Sequence, residues 1–125
     1  MRIPLGFAAA ALASVLASSA VHAQRATVLH ASTAGQLAEL CAANPRQELG
    51  DARVNYCHGF AQGALDVILH DAGDKKPFCF PTPTPTRTAT LAEFVRWVQA
   101  DPAHARFSAA GGLYRFMQAR YPCGK

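Results

Sequence analysis

Cys41, Cys57, Cys79 and Cys123, the histidines His58 and His70, and Asp66 between those histidines are the side chains of this sequence best suited to carry chemistry. Cysteines can pair, bind metal or react as thiolates. Metal binding wants closely spaced ligands such as C-x-x-C or H-x-x-x-H, whereas the gaps between these cysteines are 15, 21 and 43 residues. No metal site is expected. Redox-active pairs place C-x-x-C at a helix start, where the thiolate is favoured, and the spacing again disagrees. Cys57-His58 has the form of the end of a c-type haem attachment sequence, but the first cysteine would fall at position 54, which is Val54. No cofactor is expected, and two structural disulfides are.

An acid or base catalyst needs a second group to work with. Asp66 lies four residues from both Gln62 and His70, the spacing of solvated pairs on one helix face, and no nucleophile or second acid accompanies it. Its expected role is structural. His58 and His70 are separated by about 120° around a helix, cannot share a site on it, and are expected at the surface. The chain therefore reads as a protein without catalysis.

The compartment follows from the first residues. Arg2, an apolar run over residues 5–17 and the small-residue end Val21-His22-Ala23 have the three parts of a Sec signal peptide, here 1–23. The run is too short for a hydrocarbon core of ~30 Å, and no cysteine sits at the cleavage site to carry a lipid. Residues 24–125 are expected as one exported, periplasmic domain without membrane insertion. Oxidising conditions there favour disulfides. Removing Arg2 leaves eleven basic and eight acidic side chains, a net charge of +3. They are scattered and form no nucleic-acid stripe.

The elements that would position these residues are helical. Thr33 and Gln36 form a capping-box pattern ahead of Leu37, Leu40 and Cys41, predicting a short helix over 34–43 that Asn44-Pro45 ends. Asp51 can cap a second helix to about residue 71. Two apolar stripes, one with Val54, Cys57, Ala61, Ala64, Leu65 and Ile68 and the other with Tyr56, Phe60, Gly63 and Val67, leave a narrow polar strip. That pattern makes the second helix the centre of the bundle. Gly59 and Gly63, unfavourable within a helix by up to ~1 kcal/mol each, are then explained by close approach of a neighbour. Residues 72–89 break into a long loop, with prolines at every second position from Pro81 to Pro85 favouring polyproline-like backbone. Phe78 and Phe80 should pin its first half; Thr82, Pro83, Thr84, Pro85, Thr86, Arg87 and Thr88 should be exposed. Thr90 and Glu93 form a second capping-box pattern, opening a helix with Leu91, Phe94, Val95 and Val98 inward and Trp97 off that face. Asp101-Pro102 starts a further turn, and Ser108 opens the last helix, with Leu113, Phe116 and Met117 inward. No segment alternates with period two. The fold class is all-α: a small bundle of four main helices stapled by two disulfides.

Connectivity follows from hairpins. The first two helices bring Cys41 beside Cys57, and the last two return the chain end toward the loop that carries Cys79, favouring Cys79–Cys123. Cys41–Cys123 with Cys57–Cys79 is the geometric alternative.

The segments Tyr56-Cys57-His58-Gly59-Phe60-Ala61-Gln62-Gly63-Ala64-Leu65-Asp66, Phe78-Cys79-Phe80-Pro81, Phe94-Val95-Arg96-Trp97-Val98 with Asp101-Pro102, and Tyr121-Pro122-Cys123 resemble the Rap/Tai family of periplasmic immunity proteins. The likeness covers about residues 37–123. It implies a disulfide-bonded helical protein, often a homodimer, that binds a type VI secretion peptidoglycan amidase and occludes its active site. The Pro-Thr loop departs from the family pattern, which leaves the identity of any effector open. Residues 82–88 and Trp97, the latter of a type that often anchors interfaces, are the candidate partner contacts. The alternative function is a general stress-protective or holdase-type periplasmic protein. Eight acidic residues offer few triggers for an acid-induced exposure of apolar surface.

Overall fold

The structure is a computed structural model and describes residues 28–124; the expected signal peptide lies outside the described residues. Five helices follow one another: α1 (Ala34–Cys41), α2 (Gly50–Ala72), α3 (Arg87–Ala100), α4 (Pro102–Ala105) and α5 (Ala109–Arg120). α4 is a single turn, so four main helices make the bundle, and no strand occurs among the described residues. None of the described helices is long and apolar enough to cross a membrane.

The caps explain most of the boundaries. Thr33 and Gln36 make the reciprocal capping box that opens α1. Asp101 accepts from the Ala103 amide ahead of Pro102 at the start of α4, and the Ser108 hydroxyl accepts from the Gly111 amide at the start of α5. Thr33 and Ser108 also face each other across a short antiparallel bridge, in which the Ala34 amide donates to Phe107 O and the Ala109 amide to Ser32 O, each at 2.9 Å. α1 and α5 thus start from one point.

Two starts differ from expectation. Asp51 does not cap α2: Leu49 stands at the N-cap in the left-handed region (φ 59°), without a side-chain cap, and Asp51 lies in the first turn. The second difference is at α3, which begins at Arg87 with Thr86 as N-cap, its hydroxyl accepting from the Ala89 amide at 3.1 Å. Thr90 is instead a buried residue inside the helix, its hydroxyl donating back to Thr86 O. A threonine can satisfy itself in this way within a helix, and the sequence pattern does not distinguish that from a cap.

The centre of the bundle is α1 rather than α2. Ala34 and Leu37 are fully buried, and α1 packs on α2, α3, α4 and α5. α2 buries only Gly50, Cys57 and Ala61. Its first apolar stripe meets the core, and of the second Tyr56 and Phe60 pack against the core while Gly63 and Val67 lie open, with Val67 61% exposed. The 8-residue α1 turns Ala34, Leu37 and Ala38 into the core and leaves Gln36 and Glu39 exposed, whereas the 23-residue α2 reaches the buried core only through Gly50, Cys57 and Ala61. Gly59 and Gly63 have nothing within 4 Å of an added Cβ, so no neighbouring helix explains them. The close approach occurs at Gly112, whose missing Cβ leaves room for Ala34 at the shared start of α1 and α5.

The core is completed by Phe78, Leu91, Phe94, Val98, Leu113, Phe116, Met117 and Tyr121. Cys41 is bonded to Cys57 and Cys79 to Cys123, the favoured pairing, with S–S distances of 2.01 and 2.05 Å.

Candidate functional site

The loop between α2 and α3 is anchored at both ends. At its first half Phe78 is buried, the Cys79 amide donates to Tyr121 O at 2.7 Å, and Phe80 packs on Tyr121 with ring centroids 5.1 Å apart. The disulfide to Cys123 fixes the same point covalently. At its second half the anchor is polar. An Arg87 guanidinium N–H donates to Gln62 Oε1 at 2.6 Å, and Gln62 Nε2 donates to Asp66 Oδ1 at 2.7 Å. Asp66 is the end of a hydrogen-bonded chain that ties the start of α3 to α2. Gln62 and Arg87 were not legible as a pair, because they are 25 residues apart and meet only once the loop is closed.

Between these anchors Pro81, Thr82, Pro83, Thr84 and Thr86 are exposed and Pro85 is half-buried. The segment bends at Thr82-Pro83, whose peptide bond is cis, instead of running straight as polyproline. Of the seven expected loop residues, Arg87 and Thr88 belong to the first turn of α3. They remain exposed, but Arg87 is held by Gln62. Beneath the segment lies a groove of about 280 Å³ of mixed character, lined by Leu65, Leu69, Phe80 and Leu91 together with the Arg87–Gln62–Asp66 chain.

Trp97 stands elsewhere. It is half-buried on the far face of α3, stacked on His104 with centroids 3.7 Å and planes 10° apart, and bordered by Phe94, Phe107 and Phe116. Much of its ring is committed to the protein's own packing, because α4 folds back over it. Arg115 lies over Phe107 at 4.6 Å, and Arg120 donates to both carboxylate oxygens of Glu93. That hydrogen bonding, aided by the charges of Arg120 and Arg96 and opposed by desolvation, holds the Glu93 carboxyl below its ordinary value.

His58 is half-buried and His70 exposed. Among the described residues no group of three His, Cys, Asp or Glu side chains comes together. The arrangement presents a short, proline-stiffened segment on a rigid scaffold, which is suited to contact with another macromolecule.

In comparison with known proteins, the family model described as Rap1a immunity proteins matches residues 33–123, which is most of the chain and all five helices. No curated protein and no solved structure matches it.

Proposed function

The chain belongs to the Rap1a immunity protein family, and from that premise we propose that it binds a type VI secretion peptidoglycan amidase in the periplasm and occludes its active site without catalysis. Family membership carries the reading of an immunity protein that binds an effector. What supports the occlusion step is the exposed Thr82-Pro83-Thr84 stretch with the half-buried Pro85 after it, anchored at one end by Cys79–Cys123 and at the other by Arg87–Gln62–Asp66. A segment ordered before binding loses little conformational freedom on docking. The working unit in this reading is a homodimer.

The test replaces residues 82–85 by a Gly-Ser segment and leaves Thr86 to cap α3. The purified chain is titrated against the amidase recovered with it from the envelope of its own cells. Binding weakened by at least tenfold with the helical circular dichroism intact is the expected result. Unchanged affinity removes the segment from the contact, and an eluate without an amidase removes the reading itself. Light scattering at the mass of two copies supports the dimer, and one copy removes it.

A further inference from the structure

Residues 81–90 hold five threonines, Thr82, Thr84, Thr86, Thr88 and Thr90, in a run unlike the rest of the chain. The structure divides them. Thr90 is buried, its hydroxyl bonded to Thr86 O and facing the Tyr121 hydroxyl at 3.4 Å. The Thr86 hydroxyl is committed to the cap of α3, and Thr88 lies within that helix. Thr82 and Thr84 differ in three respects at once: they are exposed, they lie outside any helix, and among the described residues their hydroxyls have no hydrogen-bond partner. Prolines 81, 83 and 85 contribute to this. They carry no N–H, so every second backbone donor that a threonine oxygen uses in local turns is missing.

We infer that Thr82 and Thr84 are acceptor sites for O-glycosylation. A transferase has to close around an acceptor hydroxyl from several sides, which a helix interior or a core position forbids and an exposed, proline-interrupted segment permits. Threonines interspersed with proline are the composition of O-glycosylated stalks. In the transfer the Thr Oγ1 attacks the anomeric carbon of a glycosyl phosphate donor. The new C–O bond forms as the bond from that carbon to the phosphate oxygen breaks. The electron pair leaves with the phosphate, and the hydroxyl proton passes to a base of the transferase. Nothing is oxidised or reduced.

The inference does not rest on the amidase reading, although it concerns the same segment.

The experiment is intact-mass spectrometry of the full chain recovered from the envelope of the cells that encode it, followed by electron-transfer fragmentation of the peptide covering residues 77–96. The expected result is a mass that exceeds, by whole saccharide units, that of residues 24–125 with both disulfides formed, the saccharide being placed at Thr82 and Thr84, lost in T82A/T84A and retained in T88A. Both positions are exposed, and near-native helical circular dichroism of each variant confirms that folding is unaffected. An intact mass equal to that of residues 24–125 with both disulfides formed overturns the inference, as does saccharide that persists in T82A/T84A.

Discussion

The His104 ring lies face to face on Trp97, 3.7 Å between centroids, while its Nδ1 donates to the Trp97 carbonyl oxygen at 2.7 Å. One side chain thereby fixes both the ring and the backbone of the only tryptophan, seven residues upstream, and holds α4 against α3. Stacked aromatic pairs contribute about 1 kcal/mol beyond the area they bury, and the hydrogen bond adds a comparable amount. H104A is expected to shift Trp97 emission to the red, as water reaches the uncovered ring, and to lower stability by about 1–2 kcal/mol in urea titration. An unmoved emission maximum would show that α4 closes over the tryptophan without His104.

The pair formed by Glu93 and Arg120 joins the middle of α3 to the end of α5. In the folded chain the hydrogen bond from Arg120, then the charges of Arg120 and Arg96, hold the Glu93 carboxyl below its ordinary value of 4.5. A depressed folded-state pKa contributes stability that is fully present above the unfolded value and lost as pH falls through the folded one. The melting temperatures of the native chain and E93Q should therefore differ by a constant amount near neutrality. The difference should shrink as pH falls below 4.5. Because both side chains are partly exposed, added salt should also shrink it at neutral pH. A difference indifferent to both acid and salt would assign Glu93 a packing role instead.

The place of α1 at the centre gives a contrast between two apolar residues. Leu37 has no exposed surface, whereas Val67 is 61% exposed on α2. L37A should cost about 3 kcal/mol through the cavity it leaves, lowering Tm by at least about 10 °C in a domain of this size. V67A should stay within about 0.5 kcal/mol of the native chain. Similar losses at both positions, measured by calorimetry, would restore α2 to the core.

That contrast also marks where the sequence was legible and where it was not. Thr33 with Gln36, Asp101 with Pro102 and Ser108 announce helix starts because a cap is a local interaction, written within four residues. The disulfide pairing could be favoured because adjacent helices bring Cys41 to Cys57 and the last two return Cys123 to the loop. The identity of the central helix was not local. α2 shows two apolar stripes and α1 one, yet burial depends on which elements surround which, and the shortest of the four main helices is the one that packs on all the others. The same applies to the candidate site. The exposure of Thr82 and Thr84 followed from proline spacing, but the anchor Arg87–Gln62–Asp66 depends on loop closure. Thr90 imitated a cap with a hydroxyl that turns back to Thr86 O.

Gly63 and Gly112 are both helical glycines, and only one of them is required by packing. An added Cβ at Gly112 would overlap the Ala34 Cβ, where α1 and α5 start together across the Thr33–Ser108 bridge. Ala34 opens a short helix pinned by that bridge and has little freedom to yield, so G112A should cost about 1–3 kcal/mol as an overpacked core does. At Gly63 an added Cβ meets nothing within 4 Å. Replacing glycine by alanine inside an open helix removes backbone freedom from the unfolded chain, and G63A should stabilise the protein by up to about 1 kcal/mol. Chemical denaturation of the two variants measures both effects against one reference. A loss at Gly63 in the isolated chain would mean that the outer face of α2 is covered in solution, and light scattering of the same sample would show whether a second copy covers it.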